Sequence, residues 1–162
     1  MKENLWAGAV LASYTTIPRL IKVIDKAIKI RIQSGFMSKH LHHGVSTEEL
    51  LFSISALNAR KVTALNVHVL AEMIMARLTK GEALLAKMRY FERKPHYEIA
   101  LILKCSLRTV FRWQDKLLQS AARIATEAGH GESWFYEECA GDTFFAAVLQ
   151  RLACGTDLSV LP

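Results

Sequence analysis

The stretch that decides the reading is Pro95-His96-Tyr97-Glu98-Ile99-Ala100-Leu101-Ile102-Leu103-Lys104-Cys105-Ser106-Leu107-Arg108-Thr109-Val110-Phe111-Arg112-Trp113-Gln114-Asp115-Lys116-Leu117-Leu118. It reads as two helices and a tight turn. The first helix runs from Pro95 to Leu103, Lys104-Cys105-Ser106 form the turn, and the second runs from Leu107, with Ser106 as its N-cap, and continues past the motif to about Ala128. A serine suits that place because its hydroxyl accepts a backbone N–H of the first turn. Two short helices that cross steeply need a small residue where they meet, and Ala100 supplies it. Ile99, Leu103, Val110 and Trp113 are expected to face inward, with Cys105 plugging the turn as a small hydrophobe. The first turn position calls for positive φ and favours glycine; here it is Lys104.

With those residues turned inward, Ser106, Arg108, Thr109, Arg112 and Lys116 face outward. This set suits a recognition helix in the major groove of double-stranded DNA. Arg108 and Arg112 are four apart and share a face, and arginine can bond O6 and N7 of guanine together. Thr109 suits a base edge or a thymine methyl. Ser106 stands at a helix N-terminus, which favours phosphate. Lys116, Lys104 and Lys94 suit phosphate too, where charge matters more than geometry. Phe111 is expected to be part-exposed, touching a thymine methyl or packing on a neighbouring helix.

The wider segment Leu78 to Ala122 resembles region 4 of sigma factors, in the form found in extracytoplasmic-function sigma factors and related phage-type regulators. The residues that carry the likeness are Met88-Arg89-Tyr90-Phe91-Glu92, Tyr97-Glu98-Ile99-Ala100, Cys105-Ser106, Thr109-Val110 and Lys116-Leu117-Leu118. The likeness implies that the Arg89-Tyr90-Phe91 stretch packs on the two-helix unit and that the second helix reads a −35 promoter element. It covers a quarter to a third of the chain. Residues 1–78 lack the aromatic and basic pattern of the family's −10-reading domain, so the expectation is a transcriptional regulator with a different N-terminal module, not an autonomous sigma factor. The rival expectation is a helical adaptor that binds RNA polymerase or another regulator through the same scaffold.

Charge follows the same division. Residues 79–124 hold ten Lys/Arg against four Asp/Glu, residues 1–78 ten against five, and residues 125–162 one against six. The basic middle fits a polyanion, while the acidic end reads as a solvated cap, a partner surface or a mask for the basic face. Three domains are expected: a helical N-terminal module over 1–78 for packing or dimerisation, a DNA-binding unit over 79–128, and an acidic helical tail over 129–162.

Periodicity is helical almost throughout, so the fold class is all-α, with an N-terminal hairpin or long-helix module followed by the region-4-like bundle. A helix is expected from Thr15-Thr16-Ile17-Pro18, with Ile17, Leu20, Ile21, Ile24 and Ile28 as its apolar stripe, ending near Gly35. Ser46-Thr47-Glu48-Glu49 reads as a capping box opening a long helix toward Leu78. That helix must pack on something, in a hairpin or a homodimer. Thr79-Lys80-Gly81 interrupts the pattern before a helix from Glu82 to about Phe91. Gly129-His130-Gly131 reads as a joint, and Thr143 to Leu152 as a last helix closed by Gly155.

Several function classes find no support. Glu98 and Asp115 are lone carboxylates, and no nucleophile triad, Gly-rich phosphate loop or metal cluster is visible, so neither an enzyme nor a cofactor is expected. The histidines of Lys39-His40-Leu41-His42-His43-Gly44 lack a fourth ligand at helical spacing and read as a polar loop. Cys105, Cys139 and Cys154 have no disulfide or metal spacing, which points to the cytoplasm. The apolar run Leu5 to Ala12 lacks a cleavage site and is not read as a signal peptide. No run is long enough to span a membrane.

Overall fold

In the computed structural model the described residues are 4–41 and 46–155, with side chains described for 4–35 and 46–155. The fold is all-α, with no strand among the described residues. The helices are α1 (Leu5–Ser13), α2 (Ile17–Leu41), α3 (Thr47–Arg77), α4 (Lys80–Ala86), α5 (His96–Ile102), α6 (Leu107–Glu127), α7 (Glu132–Glu138) and α8 (Thr143–Cys154). A π-helical turn, Lys87–Phe91, follows α4 directly. The chain forms two compact units: residues 1–16 with 67–162, and residues 17–66.

The larger unit is built around α1. Every residue from Trp6 to Ser13 is buried, as expected of a helix that is apolar on all sides. It packs on α6, α7, α8 and the π-turn. Gly8 makes this close approach possible: a Cβ there would sit 3.3 Å from Leu118, 3.5 Å from the Tyr90 hydroxyl and 3.6 Å from Leu152. Trp6 faces Phe135 at 6.2 Å between ring centroids, and Phe135 meets Phe145 edge-on. The acidic tail is therefore folded into the core: Phe135, Phe144, Phe145 and Val148 of α7 and α8 are buried.

The compact units divide the chain at 16/17 and 66/67. Periodicity identifies an apolar face without naming its partner, so α1 is recognisable as apolar but not as the centre of a core built from distant segments. The short α7 also leaves no periodic signal. Its seven residues hold one buried side chain, Phe135, too little for a stripe.

Thr79 does more than interrupt. It caps α4 in a full box: Glu82 N–H donates to Thr79 Oγ1 at 3.4 Å, and Thr79 N–H donates to Glu82 Oε2 at 3.1 Å. Ser120 of α6 donates to the other Glu82 oxygen at 2.6 Å. Burial works to raise the Glu82 pKa, but these hydrogen bonds and the charge of Arg123 outweigh it and hold the carboxyl below its ordinary value.

In the smaller unit α2 and α3 are joined by Lys61 Nζ to Asp25 Oδ1 at 2.6 Å. The helix α2 does not stop at Gly35 but runs to Leu41. Gly35 serves close packing instead, since a Cβ there would collide with the Leu50 side chain. The capping box of Ser46 and Glu49 opens α3, with bonds of 3.2 and 3.1 Å, and α3 is unbroken through Asn58 and Asn66. The side chains of the Lys39–Gly44 stretch lie outside the described residues.

Candidate nucleic-acid interface

The two-helix unit begins with Pro95 as N-cap of α5 and ends with α6, which runs past Leu118 to Glu127 as one helix. Between them Leu103 N–H donates to the Ile99 carbonyl at 2.9 Å and Cys105 N–H to the Ala100 carbonyl at 3.0 Å, which ties the turn back onto α5. Lys104 takes the expected positive φ, +49°. Ser106 caps α6 by accepting from Thr109 N–H at 3.2 Å.

Ile99, Ala100 and Val110 are buried as expected, and Leu103 is half-buried. Trp113 is a correction: it is 37% exposed and not in the core. Because α6 is longer than the motif, its buried stripe follows Val110, Leu117, Leu118, Ala121, Ile124 and Ala125, with Gln114 half-buried along it. That register turns Trp113 to the flank. There it lines a groove of about 530 Å³ with Leu84, Leu85 and Leu103, beside Lys116 and Glu82.

A polar chain fixes α5 to α6 and the π-turn. His96 Nε2–H donates to Gln114 Oε1, and Gln114 Nε2 donates to the Tyr90 hydroxyl at 3.4 Å. Burial lowers the His96 pKa, against the Gln114 bond that works to raise it, and the nearby Arg89 charge lowers it further. The ring is thus held toward its neutral form. Burial pushes the Tyr90 phenol up to about 12. Phe111 packs on the His96 ring, centroids 4.5 Å apart, so the neighbouring-helix alternative describes it. Met88, Arg89 and Tyr90 are buried, and the π-turn packs on α1, α4 and α5. Arg89 donates to the Lys94 carbonyl at 3.1 Å.

The expected site residues fall into two groups. Arg108, Arg112, Lys116, Lys104 and Ser106 are exposed. Arg108, Arg112 and Lys116 follow one another at four-residue steps on the solvent face of α6, and none makes an ion pair among the described residues. Thr109 and Lys94 are tied down. The Thr109 hydroxyl lies 2.8 Å from Ser106 Oγ, and Lys94 is ion-paired with Glu92 at 2.9 Å. This contact raises the Lys94 pKa and lowers that of Glu92. Two further residues continue the solvent face, Gln119 and Arg123, both exposed. Extending the helical spacing beyond Leu118 would find them. Arg123 is paired with Glu127 at 2.9 Å, and exposed Asp115, three residues from Arg112, adds one negative charge near the cations.

Next to the basic stripe lies apolar surface: Tyr97, Leu101, Ile102, Leu107 and Phe111 are between 43% and 74% exposed. No group of three or more His, Cys, Asp or Glu side chains suited to a metal ion occurs among the described residues. Burial pushes the Cys139 thiol up to about 12, so it is protonated and unreactive at neutral pH. Among the described residues no helix is long and apolar enough to cross a membrane. No family model matches the chain, and neither a curated protein nor a solved structure matches it.

Proposed function

We propose that this chain is a DNA-binding transcriptional regulator that reads duplex DNA through the segment 107–118 of α6. The observation that carries the reading is the row Arg108, Arg112 and Lys116: cations without ion-pair partners among the described residues, on the exposed face of a helix whose opposite face is buried. A rigid helix with such a face can enter the major groove, and arginines at four-residue spacing can reach neighbouring base pairs. Lys104 and the capped N-terminus of α6 add phosphate contacts. In this reading the likeness to sigma factor region 4 makes RNA polymerase a further partner.

A second reading, a protein-binding adaptor on the same scaffold, draws on the exposed apolar residues Tyr97, Leu101 and Ile102. Salt separates the two. DNA affinity that falls steeply as salt rises, with a competitor-resistant specific component, fits the regulator. An adaptor shows neither.

A further inference from the structure

The long helix α3 carries an exposed seam of apolar and small polar residues. Leu51, Ser55, Asn58, Val62, Leu65 and Val69 recur at alternating steps of four and three. All six are exposed. The apolar four are Leu51 by 62%, Val62 by 53%, Leu65 by 41% and Val69 by 60%. Ser55 and Asn58 form one polar step between them. The contacts with α2 use other residues of α3, Leu50 and Lys61. A repeat of 3.5 residues is the spacing that keeps one helix in register along another.

We propose that this seam pairs with the same seam of a second copy of the chain, as a parallel two-stranded contact. The residue types select that occupant. In heptad terms the a positions are Ser55, Val62 and Val69, and the d positions are Leu51, Asn58 and Leu65. β-Branched residues at a, here Val62 and Val69, with leucine at d favour two parallel strands over three or four. The flanking e and g positions are Phe52, Ile54, Ala59, Lys61, Asn66 and His68, and the one cation, Lys61, is engaged by Asp25. Two copies therefore meet without like charges facing each other. Glu72 occupies the next d position and ends the seam. Complete coverage of the exposed parts of Leu51, Phe52, Val62, Leu65 and Val69 buries roughly 500–600 Å² per copy, so at most about 1,200 Å² for the pair, the lower end for a stable specific interface.

The polar step sets the register. In the parallel pairing Ser55 and Asn58 each meet their own counterpart, so their hydrogen-bonding groups face each other. A slip of one heptad would set Asn58 against Leu51 or Leu65 and leave its amide against hydrocarbon, which costs more than the paired arrangement.

The test uses the full chain without DNA, so it does not depend on the proposed function. Sedimentation equilibrium over the micromolar range should give twice the 18.2 kDa chain mass for the wild type. It should give 18.2 kDa for Val62→Glu/Val69→Glu, with helical circular dichroism unchanged because both side chains are exposed in the single chain. Mild oxidation of Asn58→Cys in a Cys154→Ser background, which removes the exposed native thiol, should give a covalent dimer that Cys154→Ser alone does not form. A wild type of 18.2 kDa throughout, or a double variant that still dimerises, overturns the proposal. A dimer whose Asn58→Cys form fails to cross-link overturns the parallel pairing.

Discussion

His96 Nε2–H of α5 donates to Gln114 Oε1 of α6, and this one bond joins the two helices of the candidate interface from the inside. Its geometry requires a hydrogen on Nε2 while burial disfavours charge on the ring, so the neutral tautomer protonated at Nε2 is the form that fits.

The burial of the His96 ring, which outweighs the opposing effect of this bond, makes stability depend on pH. His96 has a lowered pKa in the folded chain, while in the unfolded chain it keeps its ordinary value of about 6.5. On acidification the unfolded chain takes up the proton first. The stabilisation is complete above about pH 6.5, falls as pH drops through that value, and levels off below the folded pKa. Urea midpoints should therefore decline more between about pH 7.5 and 5.5 for the wild type than for His96→Gln, which cannot titrate. Equal declines would contradict the assigned environment.

The packing of α1 predicts a size limit at Gly8. Its neighbours leave room for one methyl at close contact and no more. Gly8→Ala should come out near neutral, the tight contact with Leu118 offsetting a helix-propensity gain of about 1 kcal/mol. Gly8→Val should cost about 1–3 kcal/mol by overpacking. Thermal melts of the two variants check this; a neutral Gly8→Val would mean that α1 is not clamped by α6 and α8.

The turn predicts a stabilising substitution. Lys104 has φ of +49°, a conformation that disfavours a residue with a Cβ. Lys104→Gly should raise stability by about 1 kcal/mol, and Lys104→Ala should not. Both should weaken DNA binding alike, because both lose one phosphate-directed charge. Denaturant midpoints and binding isotherms read the two effects separately, and a gain in the alanine variant would point away from backbone strain.

The cap of α6 predicts a loss at the same junction. Ser106→Ala removes the acceptor of the Thr109 N–H and should cost about 1 kcal/mol. Ser106→Asp should restore most of that stability and, by placing negative charge at the phosphate-facing end, still weaken DNA binding. Chemical denaturation paired with binding measurements distinguishes the outcomes; equal DNA affinity of Ser106→Asp and wild type would remove this end of α6 from the contact.

Local features are legible in the sequence and long-range ones are not. The Ser46 box, the Ser106 cap, the positive φ at Lys104 and the helix from Thr143 all follow from rules acting over a few residues. The Thr79 box obeys the same rule and is readable from Glu82, but Gly81 inside it suggests an interruption. Trp113 departs from expectation because the motif residues up to Leu118, taken alone, set one inward register, whereas the buried stripe is set by residues as far as Ala125. The role of α1 needs tertiary knowledge: nothing within Leu5–Ser13 says that Leu118, Tyr90 and Leu152 surround Gly8. At the candidate site the cations can be named from sequence. Which of them are free to bind cannot, since the pairing of Lys94 with Glu92 depends on the path of the backbone beyond the π-turn.

Selection of bound sequences from random duplex DNA, at near-physiological salt and with wild type and Arg108→Ala/Arg112→Ala side by side, tests the central claim most directly. The account predicts a defined motif for the wild type, lost in the double variant while its helicity is unchanged, with about 1–3 kcal/mol of specific affinity lost for Arg112→Ala alone. No enriched sequence from folded wild-type protein, or the same motif enriched by the double variant, would contradict it.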